Sequence, residues 1–101
     1  MVAFKNRKPL FDLGRLLATP EAIEALAKAG QTSEQLLDRH VTGDFGDICE
    51  EDRELNLAAI QDGSRIMSVY HAGGVKLYII TEATDDDGRR SATTILRSDQ
   101  Y

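Results

Sequence analysis

Cysteine, proline and tryptophan are scarce in this sequence, whose 101 residues include one cysteine, two prolines and no tryptophan. A single cysteine cannot form a disulfide within the chain, so the fold needs no oxidising compartment and we expect a cytoplasmic protein. No apolar run approaches the length of a membrane-spanning helix, so we expect no membrane association. The basic start of the chain, residues 1–17, lacks the apolar block of a secretion signal.

Basic stripes and familiar catalytic motifs are missing as well. The formal net charge is −5, and no run of lysine and arginine offers the phosphate contacts that non-specific nucleic-acid binding requires. The sequence contains no phosphate-binding loop, no Rossmann glycine pattern, no G-x-S-x-G and no H-E-x-x-H. His40 and Cys49 do not have a recognised zinc spacing, and the acidic residues do not follow the calcium-loop pattern. We therefore expect no metal, no cofactor and no direct binding of nucleic acid.

Acidic residues are plentiful, and they concentrate in two runs at residues 44–54 and 85–87. A protein with this charge is suited to docking on a basic surface of another protein. We predict that the two runs bind a protein partner of that kind, and the sequence leaves the oligomeric state open. The predicted partner-binding residues are Asp44, Asp47, Glu50, Glu51, Asp52, Asp85, Asp86 and Asp87.

The first half of the chain carries helix signals. Residues 19–30 read TPEAIEALAKAG, which supplies a threonine N-cap, a proline at the first helical position and a terminal glycine. Residues 32–43 begin with a threonine and a glutamine at capping-box spacing. A third helix is predicted over residues 50–61. The leucine spacing of residues 10–17 predicts a further short helix.

The second half of the chain changes to strand signals. Residues 64–83 read SRIMSVYHAGGVKLYIITEA, which is rich in β-branched and aromatic residues around a Gly-Gly turn. This pattern predicts a β-hairpin whose register pairs Val69 with Tyr78. An exposed turn, TDDDGRR, follows the hairpin, and residues 91–97, SATTILR, predict a third strand.

Helices followed by an antiparallel meander predict an α+β fold. We expect two or three N-terminal helices packed on a C-terminal antiparallel meander of about three strands. The size and composition indicate a single domain over residues 10–101, preceded by a flexible lead at residues 1–9. The predicted core residues are Ile23, Leu26, Leu36, Leu37, Leu55, Ile66, Leu77, Ile79 and Ile95.

The stretch RHVTGDFGDICEED, residues 39–52, groups a histidine, two Gly-Asp pairs and the single cysteine. His40 could act as a general base, because histidine titrates near neutral pH. The same stretch could instead be the polar end of a helix followed by turns, which Gly-Asp pairs favour. We favour the turn, and we interpret Cys49 as a buried structural thiol.

Three segments resemble a family of short proteins carried by bacterial plasmids and integrative conjugative elements: LLDRHVTGDFGDICEEDRELN, GSRIMSVYHAGGVKLYIITEA and RSATTILRSDQY. The resemblance covers residues 34–101 and rests on the combination of R-H-x-x-G-D-x-G-D, I-I-T-E and A-T-T-I-L. It implies a small accessory protein of a mobile genetic element. An inhibitor of a host defence system that targets nucleic acid, such as an anti-CRISPR or anti-restriction protein, fits the size and the charge.

The order of elements is also similar to that of small ribonucleases of the barnase, EndoU, colicin and RelE group. This resemblance implies a metal-independent ribonuclease, in which His40, Arg65 and Thr94 would be the catalytic residues. Arg65 has a second interpretation, since it faces Glu82 in the hairpin register as an ordinary cross-strand pair. A binding protein without enzymatic activity is our first hypothesis, and the ribonuclease is the alternative.

Overall fold

A computed structural model describes residues 8–101, so part of the predicted lead at residues 1–9 lies outside the described residues. Over this part of the chain, three helices and a four-stranded mixed sheet form an α+β fold. One strand precedes the helices, so the predicted order of helices and then strands is confirmed only in part. The elements are β1 (Arg15–Ala18), α1 (Pro20–Lys28), α2 (Ser33–Val41), α3 (Glu50–Asp62), β2 (Ile66–Ala72), β3 (Val75–Thr81), β4 (Ala92–Arg97) and a terminal 3-10 turn (Ser98–Gln100).

The prediction of a helix over residues 10–17 is wrong, because the segment enters the sheet as β1. It pairs in parallel with β4, and the backbone N–H of Arg15 donates to the carbonyl of Ser91 at 3.0 Å. Gly14 precedes the strand at φ +66° and lies tight against the backbone of residues 90 and 91, where no side chain would fit. Leucines at near-helical spacing in so short a segment do not distinguish a helix from an apolar strand.

The helices α1 and α2 are confirmed, together with the local signals that start them. The Thr19 hydroxyl accepts a hydrogen bond from the N–H of Ala22, and Thr32 and Gln35 exchange both bonds of a capping box. Both helices pack on one face of the sheet, which we call the inner face. The main core cluster there comprises Ala22, Ala25, Leu26, Leu36, Leu37, Tyr70, Ala72, Leu77, Ile79 and Ile95.

Two predicted core residues and the predicted buried thiol are exposed instead. The exposed fraction is 47% for Ile23 and 67% for Leu55, and Cys49 is exposed at the N-cap of α3. In α1 the buried stripe falls one position earlier, at Ala22. Helix α3 lies along one edge of the sheet, and its inward residues are Asn56 and Ala59. An edge covers less of a helix than a sheet face does, so Leu55 remains in solvent.

The hairpin β2–β3 matches its prediction. Both turn glycines have positive φ, +57° at Gly73 and +86° at Gly74, as a two-residue turn of this type requires. The register pairs Val69 with Tyr78, as predicted. Strand β4 pairs antiparallel with β3, which gives the sheet order β1-β4-β3-β2.

The outer side of β2 is bonded at two positions, Met67 and Val69, by a side chain and a loop. The amide of Asn56 accepts from the N–H of Met67 at 3.1 Å and donates to its carbonyl at 2.8 Å. Two residues further on, the N–H of Val69 donates to the carbonyl of Phe45, and the Val69 carbonyl accepts from Asp47. The opposite edge of the sheet is β1. Within residues 8–101, none of the helices is long and apolar enough to cross a membrane.

Candidate functional site: a buried polar chain and an acidic helix

His40 lies in the last turn of α2 and is fully buried. Its Nδ1 atom is hydrogen bonded to the hydroxyl of Ser68 on β2, and its Nε2 atom lies 2.8 Å from the hydroxyl of Thr81 on β3. The rings of Phe11 and Phe45 contact it edge-on. Both ring nitrogens therefore have partners inside the protein, and the imidazole ties α2 to two strands of the inner face.

The polar chain continues to β4 and the N-terminal segment. The hydroxyls of Thr81 and Thr93 are 2.7 Å apart, and the Thr93 hydroxyl lies 2.7 Å from the carbonyl of Leu13. A carbonyl accepts hydrogen bonds and never donates them, so the Thr93 hydroxyl donates to the Leu13 carbonyl. Its single proton is then used, and it must accept from Thr81. Thr81 must then accept from Nε2 of His40. The neutral tautomer with its proton on Nε2 follows, with Ser68 donating to Nδ1.

Burial keeps this histidine uncharged. Desolvation is the main cause that lowers the pKa of His40 to about 3, and the positive charge of Arg90 lowers it further. A group with this pKa is neutral throughout the physiological range. Because the ring is fully buried and both of its nitrogens are bonded, it does not reach a substrate in solution. The predicted turn after the helix is present, but the histidine itself belongs to the core.

The three predicted catalytic residues do not converge. Arg65 is exposed, and its guanidinium lies 3.4 Å from Glu82 and 3.0 Å from the hydroxyl of Tyr101. Thr93 points to the inner face, where Thr81 links it to His40. Neighbouring residues of a strand point to opposite faces, so Thr94 faces away from His40. A base, a cation and a hydroxyl must meet on one scissile group in a ribonuclease, and these three side chains do not.

Arg90 is a buried side chain that sequence reasoning missed. Its guanidinium donates to three carbonyls, those of Ser64 at 2.7 Å, Glu82 at 3.0 Å and Ala59 at 3.0 Å. These bonds join the end of α3 to the segments that flank the hairpin. Nothing in the turn sequence DDDGRR distinguishes Arg90 from its exposed neighbour Arg89, so the sequence offered no signal for this role.

The predicted partner-binding acids divide into two groups with different surroundings. Asp44 is held in a local structure, since its carboxylate pairs with Arg39 at 2.9 Å and accepts from the N–H of Gly46. Asp85 accepts from the N–H groups of residues 87 and 89 and so closes the turn before β4. The other six are exposed side chains: Asp47, Glu50, Glu51, Asp52, Asp86 and Asp87.

Helix α3 connects the two acidic runs. Its 13 residues carry five acids and one base, and at about 1.5 Å per residue the helix is about 20 Å long. The base, Arg53, donates to the carbonyl of Gly43 and lies over the ring of Phe45, which directs it toward the domain. The turn of residues 85–88 lies beyond the other end of α3, where Thr84 donates to the carbonyl of Gly63. The helix carries acids at its two ends, with none at residues 55–61, and the turn adds Asp85, Asp86 and Asp87 beyond the second end. We call the acids of α3 and of this turn the acidic ridge; α3 also exposes Leu55 and Leu57.

Metal and family comparisons add no further identification. Among residues 8–101, no group of three or more histidine, cysteine, aspartate and glutamate side chains is arranged to hold a metal ion. Comparison with protein-family models, with curated proteins and with solved structures finds no match for the chain.

Proposed function

We propose that this protein is a small acidic binding protein, and that the acidic ridge of α3 and the turn of residues 85–88 docks on a basic surface of a protein partner. The observation that carries the proposal is the composition of the exposed side of α3. Four acids, Glu50, Glu51, Asp52 and Glu54, are exposed there, while the one basic residue of the helix turns toward Phe45. Such a surface complements a patch of lysine and arginine.

Two leucines give the ridge more than charge. The exposed fraction is 67% for Leu55 and 43% for Leu57. The two residues are two positions apart and so lie on different sides of the helix, with Leu57 on the side that carries Glu50 and Glu54. Protein interfaces combine apolar contacts with a polar rim, so a leucine beside carboxylates suits a partner with an apolar contact bordered by basic residues. The three acids of the first turn also stabilise the helix through its dipole. Neither Glu54 nor the two leucines serves that purpose.

The partner class that we propose is a host protein or complex that binds nucleic acid through lysine and arginine. A carboxylate-rich helix competes for the same side chains that contact phosphates. The resemblance of residues 34–101 to short proteins of mobile elements favours a role as an inhibitor of a defence system, of the anti-CRISPR or anti-restriction kind. A ribonuclease receives no support from the geometry, because His40 is buried and faces away from Thr94.

The test is inhibition of DNA binding by purified defence nucleases, with the full chain as competitor at several salt concentrations. We expect inhibition that weakens as salt rises, and an at least tenfold loss of inhibition in the double variant Glu50→Lys/Glu51→Lys. The matched control is Glu24→Lys/Asp99→Lys, which changes the net charge equally at two exposed positions outside the ridge. Equal losses of inhibition in both variants would mean that inhibition depends on the net charge and not on the position of the acids. Unchanged inhibition in the α3 variant would exclude the ridge.

A further inference from the structure

Strand β1 is an open edge of the sheet. Arg15 and Thr19 direct their N–H groups to β4, where they donate to Ser91 and Ile95 at 3.0 Å. Backbone groups alternate in direction along a strand, so Leu16 and Ala18 point their N–H and C=O groups away from the sheet. Within the described residues no strand or isolated bridge occupies that side of β1. The opposite edge, β2, has its outward groups at two positions bonded already.

The side chains of β1 make this edge apolar. The exposed fraction is 56% for Leu16 and 41% for Leu17. Proteins usually protect an edge strand with a lysine, a proline or an inward-pointing charge, and residues 16–18 contain none of these. We propose that β1 pairs with β1 of a second copy of this chain, in antiparallel orientation, and joins the two sheets into one of eight strands.

The outward-pointing residues fix the register. When Leu16 lies opposite Ala18 of the second copy, each of these two pairs exchanges two backbone hydrogen bonds across the twofold axis. Leu17 then faces its own counterpart as a non-hydrogen-bonded pair, with the two Cα atoms about 4.5 Å apart. No other register uses all four outward groups of Leu16 and Ala18 with these residues as partners.

A groove beside β1 accommodates the incoming leucine. The space between β1 and α2 has a volume of about 180 Å³, and Ala18, Ser33 and Leu37 are among its lining residues. In the proposed register, Leu16 of the second copy lies opposite Ala18, whose small side chain leaves this groove open. Both residues point to the inner face, since Leu16 pairs with Thr93 and Ala18 pairs with Ile95. The exposed Leu16 side chain therefore fills the groove of the other copy.

Charge favours the same orientation. The formal charge of −5 on each chain opposes contact between two copies, so self-association requires a surface without facing acids. Strand β1 has Arg15 at its start and no carboxylate, while Glu34 lines the groove at the end that carries Ala18. Glu21 lies near this end as well, where its carboxylate accepts from Gln100, the partner of Thr19. An antiparallel pair brings the basic end of each strand to the acidic end of the other.

The first test is sedimentation equilibrium of the full chain from about 1 to 500 µM, a range that detects dissociation constants in the micromolar range. We expect a monomer–dimer equilibrium that Leu17→Lys weakens at least tenfold, because it sets two lysines face to face. Leu16→Pro, which removes an outward N–H, should weaken it similarly. Leu55→Lys, a change at an exposed leucine of α3, is the control and should leave it unchanged. Circular dichroism checks that each variant is folded.

A cross-link tests the register. In a Cys49→Ser background, Leu17→Cys should form a disulfide-linked dimer under mild oxidation, because paired Cα atoms at this distance suit a disulfide. Leu55→Cys in the same background should stay reduced. A monomer at every concentration overturns the proposal. In that case β1 would be available to pair with a strand of another protein. A dimer that Leu55→Lys disrupts and Leu17→Lys does not overturns it as well.

Discussion

The Nε2 atom of His40 donates to the hydroxyl of Thr81 across 2.8 Å, and the direction of this bond is set by the Leu13 carbonyl at the far end of the hydroxyl chain. If Thr81 donated to Nε2 instead, Thr93 would have to donate both to Thr81 and to the Leu13 carbonyl. A hydroxyl has only one proton, and a carbonyl cannot donate, so this arrangement is excluded. The histidine is thus a neutral structural member whose tautomer is fixed by three residues on other elements. Its protonation requires the Ser68 hydroxyl to turn, because Nδ1 is the nitrogen that takes the new proton.

The first prediction concerns pH. The folded-state pKa of His40 is lowered to about 3, below the ordinary value of about 6.5 in the unfolded chain. Between these values the unfolded state binds a proton that the folded state does not, so the free energy of unfolding falls as pH drops below about 6.5. The expected slope is about 1.4 kcal/mol per pH unit. Urea unfolding at pH 7, 6 and 5 measures it.

A histidine elsewhere in the chain provides the control. His71→Gln, at an exposed position of β2, should keep the slope, and His40→Gln should flatten it while lowering stability at pH 7. If His40→Gln does not fold, the ¹³Cε1 shift of His40 in the wild-type protein reports protonation directly. Titration of that signal near pH 6.5 in the folded protein would contradict the burial of His40 in the hydrogen-bonded chain.

The second prediction compares two glycines with nearly the same φ. Gly46 has φ +76° and Gly88 has φ +77°, so a positive φ disfavours alanine at both positions, at a cost of about 1 kcal/mol. A Cβ at residue 46 would overlap the carbonyl oxygen of Val69 and lie 2.7 Å from Cδ1 of Tyr70, whereas a Cβ at residue 88 has open space. We expect Gly46→Ala to lower the free energy of unfolding by about 1–3 kcal/mol more than Gly88→Ala.

Denaturant unfolding of the two alanine variants tests the contact between the loop and β2, since the cost of a positive φ is common to both variants. Equal losses of stability in Gly46→Ala and Gly88→Ala would mean that the loop moves away without cost. In that case the loop would not cover the edge of β2 as described.

The third prediction contrasts two adjacent arginines. Arg90→Ala removes donors from three carbonyls and should lower the free energy of unfolding by about 3 kcal/mol, because buried acceptors lose their partners. Arg89→Ala, at an exposed position, should change it by less than about 0.5 kcal/mol. Arg90→Lys keeps the charge but lacks the planar fork, so it should recover only part of the loss. Thermal and urea unfolding provide the comparison, and full recovery by lysine would show that charge alone matters.

The fourth prediction concerns Asn56, whose amide both accepts from and donates to the backbone of Met67. Asn56→Asp keeps the acceptor and loses the donor, so both Asn56→Asp and Asn56→Ala should destabilise the protein, by about 2 kcal/mol for alanine. Leu57→Ala, at the neighbouring residue with an exposed fraction of 43%, should have little effect. Faster amide hydrogen exchange at Met67 in Asn56→Ala, which removes the acceptor of that N–H, would locate the effect at the strand edge, and unchanged exchange in this variant would contradict the contact.

Local signals predicted the elements that local physics determines. Thr32 and Gln35 form the predicted capping box, and Gly73 and Gly74 have the positive φ that the hairpin turn requires. Strand β1 escaped prediction because its partner, β4, lies at the other end of the chain. A short leucine-rich segment does not show by itself which partner it will have.

The candidate site was predictable as a surface but not as a set of contacts. The acidic runs can be read directly from the sequence, and six of the eight predicted acids are exposed without a turn contact. The burial of His40 depends on Ser68 and Thr81, which two separate strands bring to the inner face. The spacing of these residues along the chain does not indicate that they are in contact. His40 was therefore a candidate catalytic residue when its own sequence stretch was considered alone.

The bonds that occupy Met67 and Val69 on the outer side of β2 limit how large an assembly this chain can build. Asn56 bonds both outward groups of Met67, and the loop of residues 45–47 bonds those of Val69. A sheet with two open edges can add copies without end and grow into a filament, whereas a twofold contact between single open edges closes on itself. If β1 pairs with β1 of a second copy, the open edges of both copies are paired with each other. The molecule then stops at two subunits, and α3 presents one acidic ridge on each of them.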